Sequence, residues 1–327
     1  MRRREFIGAV YAATVVLPFG AAAEQPGKLW RIGNVYNSTP ELVGRLAQAL
    51  EHRLADLGDV QGGNIVLLNR FAGPRPDKLQ EVISLLATQV DALVVWGTSA
   101  GMAAKKIGGN VPTVFVSVGA PVEMGLVQSL AHPGGNMTGV TFKAATETYG
   151  KRLQILKEIV PDIKRVAVLG AVGDAVVGFA MTSLDRAAPE LGVTLLSIDI
   201  KSADDLKPAF AKMKESAAEA LIVIAGGLTY TVGTQIADLA LEARLPSCHA
   251  FRETVMAGGL VSLGPDLAAM AGPAAAQIDK IIKGTKPADI PVEQPTRYEL
   301  YINLKTARLL ALTIPPLILT RADEVIE

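Results

Sequence analysis

The sequence has few of the residues that stabilise folds through disulfide bonds or bound metal ions. It contains one cysteine, Cys248, and a single thiol cannot close a disulfide within the chain. Its three histidines, His52, His132 and His249, are far apart and form no His-x₃-His pair, so the spacing typical of a zinc site is missing. The sequence therefore predicts no metal centre and no cofactor, and the stability of the fold must come from a packed core.

Net charge and aromatic side chains are also scarce. The 32 basic and 32 acidic residues give a formal net charge of zero, and no lysine- or arginine-rich patch indicates a nucleic-acid partner. Aromatic residues make up only 5% of the chain, whereas hydrophobic residues make up 50%, so the core must be mainly aliphatic. A length of 327 residues is about twice that of a usual domain and favours two lobes.

The amino terminus has the pattern of an export signal. Three arginines at 2–4 precede an apolar stretch at 6–23, which is interrupted by Pro18 and ends in three alanines. This pattern predicts a cleavable signal peptide over residues 1–23, a periplasmic mature protein and no membrane span after cleavage. The Arg-Arg-Arg-Glu-Phe-Ile segment resembles a twin-arginine signal; a general secretory signal and a retained membrane anchor are the alternatives.

Short apolar runs alternate with amphipathic stretches from residue 29 onward. The runs are rich in Val, Ile and Leu and lack alternation, as expected for parallel strands that are buried on both faces. They lie at 30–36, 64–68, 92–96 and 113–117, and after a break at 165–169, 193–198, 220–224 and, more weakly, 245–249. Two such sets predict an α/β fold of two doubly wound, Rossmann-like lobes.

The remaining segments predict how the lobes are joined. An apolar run at 137–142 lies between the two sets, and a strand at 259–263, a helix at 266–283 and a last strand near 296–302 follow the second set. We expect lobe one to comprise 28–142 plus 258–284, and lobe two 143–257 plus 285–327. The chain then crosses between lobes three times, near 142, 257 and 285, which is typical of a hinge.

One pattern indicates an enzyme. Residues 97–101 match the Gly-x-Ser-x-Gly elbow of serine hydrolases, with Ser99 as the nucleophile between a strand and a helix. The downstream histidines are His132, inside a Pro-Gly-Gly loop, and His249. No His-Gly-Gly-Gly motif precedes the elbow, and a small-residue turn that opens a helix explains the pattern at least as well. A Ser99 hydrolase is therefore the alternative to a non-enzymatic binding protein.

Gly, Ser, Thr and Asn recur just after the strand ends in both halves of the chain. The Gly170–Gly173 segment lacks the three-glycine spacing of a dinucleotide site. In open α/β sheets, ligands bind at the carboxyl edge of the strands, where helix N termini offer free N–H groups. We therefore expect a small polar or anionic solute between the lobes. The expected contacts are Asn37, Ser38, Thr98, Ser99, Val118 and Gly119 from lobe one, and Gly170, Gly226, Gly227 and Phe251 from lobe two.

Five longer segments carry a resemblance to a known family. They lie at 115–121, 125–139, 257–266, 286–306 and 322–327. Together they resemble a bacterial ABC transporter substrate-binding family that includes tryptophan-type binding proteins and has the type I periplasmic binding protein fold. The resemblance covers essentially the whole chain. It implies capture of a ligand between hinged lobes and delivery to a membrane permease and its ATPase.

The chain departs from the family at three places that are expected to face the cleft. Members commonly have a Trp-Asn-Pro-like turn, a Tyr-Gly pair and a strand tyrosine where this chain has residues 170–173, Cys248-His249 and Leu263. These differences count against an aromatic ligand, which would have to stack on Tyr36, Tyr149 or Phe251. The expected ligand is therefore a small polar organic molecule, either amino-acid-like or a carboxylate.

Overall fold

The computed structural model describes residues 28–73, 75–142, 146–295 and 297–327, so the expected signal peptide lies outside the described residues. The described strands form two separate sheets, each the centre of one lobe. None of the helices in these ranges is long and apolar enough to cross a membrane.

The first lobe is built on a five-stranded parallel sheet. Its elements are β1 (Trp30–Tyr36), α1 (Pro40–Asp56), β2 (Ile65–Phe71), α2 (Pro76–Ala87), β3 (Ala92–Trp96), α3 (Thr98–Ile107), β4 (Thr113–Val118) and β5 (Met137–Thr141). The strand order is β2-β1-β3-β4-β5. Helices cover both faces, since α1 packs with Ile32 and Val94, whereas α2 and α3 pack with Val35 and Val95. This double cover explains the apolar runs without alternation.

The second lobe is built on a seven-stranded sheet. Its elements begin with α4 (Thr146–Ile159), β6 (Arg165–Ala171), α5 (Ala175–Ala187), β7 (Thr194–Ile200), α6 (Leu206–Glu215), β8 (Ala220–Val223), α7 (Gly227–Thr231), α8 (Gly233–Glu242), β9 (Ser247–His249), α9 (Arg252–Met256) and β10 (Val261–Gly264). After α10 (Ala271–Ile282), they continue with β11 (Glu299–Asn303), α11 (Leu304–Leu309), α12 (Pro316–Arg321) and β12 (Glu324–Ile326). The order is β12-β11-β10-β9-β8-β6-β7, with β10 and β11 antiparallel. The predicted fold class of two doubly wound α/β lobes is confirmed.

The second crossing between the lobes lies later in the chain than predicted. We assigned 258–284 to lobe one, but β10 lies in the second sheet, where Val261 pairs with Cys248 on one side and Ile302 on the other. The chain crosses only after Gly264, and α10 then packs against α1, β4 and β5 of the first lobe. A short apolar strand carries no lobe preference of its own, because its hydrogen-bonding neighbours decide where it lies.

The third crossing is displaced in the same direction. Lobe two was expected to resume at 285, yet the chain up to Glu293 still lies along β5 of the first lobe. The Thr138 hydroxyl donates to the Ile290 carbonyl at 2.6 Å, and Val292 is buried in the lobe-one core. The crossing therefore lies between Glu293 and β11, because these contacts hold the preceding residues on the edge of the first sheet.

Local rules of helix initiation explain how backbone groups reach the edge between the lobes. Helix α1 begins at Pro40, whose fixed φ suits a first helical turn. Helix α3 begins after Gly97, which has a φ of 91° that favours glycine. At the start of α5, the Asp174 side chain accepts a hydrogen bond from the Val176 N–H at 3.1 Å. Each of these helices starts at the carboxyl end of a parallel strand, which is the edge where ligands bind in such sheets.

Candidate ligand site between the lobes

A cavity lies between the carboxyl ends of the two sheets. Lobe one contributes the ends of β1, β3 and β4, and lobe two contributes the turns after β8 and β9. Among the described residues, five aromatic side chains line the cavity: Tyr36, Trp96, Phe142, Tyr230 and Phe251. The free space inside the cavity is small, about 70 Å³. Narrow apolar space between rings suits a flat group better than a bulky one.

The lobe-one rings are held by one buried amide. Tyr36 stacks between Phe71 and Trp96, with ring centroids 5.5 and 5.3 Å apart. The Trp96 indole N–H donates to Asn34 Oδ1 at 2.9 Å, and Asn34 Nδ2 donates to the Tyr36 hydroxyl at 2.9 Å and to Asn69 Oδ1 at 2.8 Å. Because Asn34 is fully buried and fully bonded, both rings keep one orientation toward the cavity.

Lobe two presents a second aromatic pair. Tyr230 and Phe251 meet edge to face, with centroids 5.4 Å apart and an interplanar angle of 84°. Burial, with the nearby Glu253 carboxylate, raises the pKa of Tyr230, and burial likewise raises the pKa of Tyr36. Both phenols are therefore uncharged, so the aromatic walls present rings and hydroxyl groups to a ligand.

The two lobes touch directly at the rim of the cavity. The Thr231 hydroxyl donates to the Ser38 hydroxyl at 3.1 Å, and Asn37 packs against Gly227. A β-carbon at Gly227 would lie 2.2 Å from Asn37 Nδ2, so the Asn37 side chain keeps this position only beside a glycine. These contacts join the two lobes and close the cleft on this side.

A more polar groove adjoins the cavity beside α3. The groove has a volume of about 450 Å³, and Asn37 and Thr98 line both the cavity and the groove. Three exposed lysines, Lys105, Lys106 and Lys201, stand at its walls. The apolar cavity and the groove thus form one continuous site with an aromatic part and a charged part.

The hydrolase alternative receives no support from this geometry. Ser99 opens into the groove, and no histidine of the described residues lines that groove. His249 is buried, its Nε2 lies 2.9 Å from the Ser247 hydroxyl, and burial lowers its pKa to about 3. Ser99 therefore has no histidine base to activate it here, and the Gly97–Ser99 turn begins a helix.

Most of the residues expected at the site do line the cavity. They are Asn37, Ser38, Thr98, Gly226, Gly227 and Phe251. Ser99 lies next to them in the groove. The expectation that ligands bind at the carboxyl ends of parallel strands therefore identified residues that the two lobes present to each other.

Three of the expected residues lie elsewhere. Val118 is fully buried and packs in the lobe-one core, and the Gly119 N–H donates to the Thr98 hydroxyl at 3.1 Å. The strand register shifts between Val116 and Val118, where Ser117 has a φ of 56°. This bulge places Ser117 at the cavity in place of the two residues after it.

Gly170 serves the packing of lobe two and does not line the cavity. A β-carbon there would lie 2.9 Å from Cγ2 of Val177 and 3.4 Å from Cδ1 of Ile224. Glycine at this position lets β6 approach α5 closely. The prediction of a ligand contact at Gly170 is therefore corrected.

Sequence reasoning missed several aromatic contacts. Trp96 is the last residue of β3, one position before the loop that we singled out. Phe142 directly follows the edge strand β5, and Tyr230 lies in the short helix α7. Extending each strand-end loop back by one residue finds Trp96 as well as Tyr36. Tyr149, which we considered as a stacking residue, lies behind the cavity wall, where its hydroxyl accepts the Ala225 N–H at 3.0 Å.

The site and the fold together define a class of protein. Two α/β lobes joined by three crossings, with a cavity at their facing edges, have the architecture of a hinged solute-binding protein. The profile of the ABC transporter substrate binding protein family matches residues 45–326, and the chain belongs to this family. In the part of the chain that the structure describes, no group of three or more His, Cys, Asp or Glu residues is placed to hold a metal ion.

Individual relatives share the fold at low sequence identity. The chain is 24% identical over 258 residues to a tyrosine-binding protein of Clostridioides difficile, a match that covers 79% of this chain and 74% of the relative. A conserved domain protein of Vibrio cholerae superposes with a TM-score of 0.85 at 23% identity, over 91% of this chain and 100% of that chain. A Streptococcus pneumoniae ABC domain in complex with L-Trp gives a TM-score of 0.84 at 21% identity, with the same coverage.

Proposed function

We propose that this protein is the extracytoplasmic receptor of an ABC importer and that it binds a small aromatic solute between its lobes. The observation that carries the proposal is the cavity wall, in which rings from both lobes face one narrow space. Tyr36 and Trp96 are fixed on one side, and Tyr230 and Phe251 on the other. A flat ring between these walls gains stacking and edge-to-face contacts in addition to burial of its apolar surface.

The departures from the family pattern do not weaken this proposal. Cys248 and His249 are buried, and neither they nor Leu263 line the cavity. The aromatic lining comes from other positions. Similarity to a tyrosine-binding protein and to a domain that holds L-Trp supports the same ligand class.

The proposed binding cycle follows from the interlobe contacts. A solute that touches rings of both lobes stabilises the closed form and leaves the open form unaffected, so it shifts the equilibrium by its differential affinity. A permease and its ATPase then distinguish the loaded receptor by its closed shape. Export by the 1–23 signal, by the twin-arginine route, would place the receptor in the periplasm. We propose that the ligand leaves unchanged, because no histidine of the described residues lines the groove into which Ser99 opens.

Titration calorimetry with L-tryptophan, L-tyrosine and L-phenylalanine tests the ligand class, with L-leucine and D-galactose as non-aromatic comparisons. We expect saturable binding of at least one aromatic solute and none of the comparison compounds at equal concentration. Binding should also change the tryptophan fluorescence. Only Trp30 and Trp96 contribute to it.

Two variants identify which tryptophan gives the fluorescence change. Trp96→Phe should abolish the fluorescence response, because Trp96 lines the cavity. Trp30→Phe should preserve it, because Trp30 lies at the opposite end of β1 beside Lys28. The aromatic cavity would be rejected as the ligand site if the fluorescence response were lost in Trp30→Phe and kept in Trp96→Phe. Binding of only the non-aromatic compounds would reject it as well.

A further inference from the structure

One carboxylate lies where the two lobes meet. Asp174 immediately precedes α5 of lobe two and lines the polar groove, but it does not line the aromatic cavity. Residues of lobe one line the same groove: Asn37, Thr98 and Ser99. Helix α3 of lobe one also contacts α5. Asp174 therefore lies at a contact that is lost when the lobes separate.

Mainly uncharged groups surround the Asp174 carboxylate. Its Oδ1 accepts a hydrogen bond from the Val176 N–H at 3.1 Å. Its Oδ2 lies against Gly226, where an added β-carbon would be 2.7 Å away. No lysine, arginine or histidine of the described residues forms an ion pair with it. Burial without a cationic partner disfavours the charged form and raises the pKa of the Asp174 carboxyl.

The other titratable groups near Asp174 do not offset its burial. Lys105 and Lys106 of α3, and Lys201 after β7, line the groove with exposed side chains. Exposed ammonium groups attract a carboxylate weakly, because water and salt screen the interaction. On the inner side lies Tyr149 of α4; burial raises the pKa of its phenol, with a smaller contribution from the Asp174 charge. Desolvation therefore outweighs the lysines when the lobes are in contact.

We propose that closure of the cleft takes up a proton at Asp174, so that acidity favours the closed receptor. This inference rests on the hinge of the proposed function and on no particular ligand. When the lobes separate, α3 no longer covers the start of α5, and water reaches the carboxylate and stabilises its charge. When they close, that water is removed and the neutral acid is favoured.

The direction of the pH dependence follows from the pKa of Asp174 in the two forms. Contact between the lobes raises this pKa above the ordinary aspartate value of about 3.9, to which opening returns it. At a pH between the two values, the closed form binds more protons than the open form. The equilibrium constant for closure therefore rises as the pH falls through this window, by up to about 10-fold per pH unit. A ligand that stabilises the closed form is bound together with the same proton.

Solution scattering on the ligand-free mature chain tests the inference without a ligand. The radius of gyration should fall between about pH 7 and about pH 4.5, because the closed fraction grows. Far-ultraviolet circular dichroism at each pH checks that the chain stays folded. A constant radius would overturn the inference. A radius that rises as the pH falls would overturn it as well, since attraction between the carboxylate and the groove lysines would then govern closure.

Asp174→Asn imitates the neutral acid, because asparagine has nearly the same shape, carries no charge and also caps helices. Its ligand-free radius at neutral pH should match the value that the parent chain reaches only in acid, and it should not change with pH. Asp238→Asn removes the same charge from the exposed face of α8 and should keep the pH profile of the parent. A parent profile in Asp174→Asn would contradict the role of this carboxyl group.

Calorimetry measures the same proton during ligand binding. Each of L-tryptophan, L-tyrosine and L-phenylalanine that binds is titrated at about pH 6 in phosphate and in imidazole buffer, which differ in ionisation enthalpy. The difference in heat should correspond to uptake of a fraction of a proton by the parent and by Asp238→Asn, and to no uptake by Asp174→Asn. Buffer-independent heats for the parent would count against the inference.

The outcomes separate this inference from the proposed function. A radius that shrinks with ligand but does not respond to pH leaves the receptor intact and removes Asp174 as the site of proton uptake. If none of the aromatic compounds binds, the proposed ligand class fails, while the ligand-free pH series still decides the role of Asp174. A radius that responds to neither ligand nor pH removes the hinge, and the inference with it.

Discussion

At the scale of single residues, buried polar groups decide how the cleft presents its rings. Asn34 is a polar side chain in an otherwise apolar strand, and it is fully buried. Its side-chain oxygen accepts a hydrogen bond from the Trp96 indole N–H, and its side-chain nitrogen donates one to the Tyr36 hydroxyl. These bonds fix the orientation of the amide. An aliphatic residue at this position would pack as well but would leave both aromatic groups without a partner.

Replacing this amide should therefore loosen the aromatic wall. Asn34→Ala leaves the Trp96 N–H and the Tyr36 hydroxyl unpaired, and we expect a loss of about 1–3 kcal/mol in unfolding free energy. Asn69→Ala is the matched control, since it removes one acceptor of the same amide at a partly exposed site, where water can substitute. It should cost less than about 1 kcal/mol. Urea unfolding measures both, and equal losses would contradict a special role for Asn34.

At the scale of elements, the turn after β8 decides whether the lobes can close. Gly226 and Gly227 open α7 at the cavity, and the second of them accommodates Asn37 of the other lobe. The bulge in β4 has a comparable effect in lobe one, because it turns Ser117 toward the cavity. Both features are local adjustments at strand ends, and both act on the cleft without changing the order of the strands.

A methyl group at the α7 turn should hinder closure. In Gly227→Ala the added carbon would lie 2.2 Å from Asn37 Nδ2, so Asn37 must move before the rim can form. Relief of such overpacking costs about 1–3 kcal/mol, which predicts ligand affinity lower by about 10-fold to 100-fold. Gly178→Ala on the exposed face of α5, where nothing lies within 4 Å, should retain full affinity. Parent affinity in Gly227→Ala would show that closure does not need this contact.

At the scale of the whole molecule, the three crossings between the lobes form the hinge. The second and third crossings lie beside β10 and β11, which pair with each other in lobe two. The Tyr298 hydroxyl donates to the Phe142 carbonyl and so ties the third crossing to the first. The crossings are thus held together, and rotation about them can separate the lobes with little change inside either one.

Solution scattering should detect this rotation. The ligand-free protein should have a larger radius of gyration than the protein saturated with an aromatic ligand, because only the ligand-bound cleft is held closed. Gly227→Ala at saturating ligand should stay closer to the ligand-free radius. A radius that is the same with and without ligand, with the ligand located in the cavity, would exclude hinge closure as the binding mechanism.

The sequence by itself determined the local elements and the class of fold. The apolar runs of β1, β3 and β6 begin at the positions that the pattern predicts, and α1 begins at its proline. These features depend on residues within a few positions of each other, such as caps, turns and strand-forming runs. The recurrence of small polar residues after strands also predicted Asn37, Thr98 and Gly227 at the cleft, because parallel strands end at one edge.

Only the tertiary structure decided the lobe of β10, the direction of the side chains after the β4 bulge and the set of rings that face the cavity. The strand containing Val261 joined lobe two because distant segments offered it hydrogen-bonding partners on both sides. Ser117 replaced Val118 at the cleft through a one-residue shift in register that no local pattern marks. Trp96 and Tyr230 became one site because closure brings together two lobes whose contacts lie far apart in the chain. Such contacts depend on pairing and packing across the whole fold, which residue order encodes only indirectly.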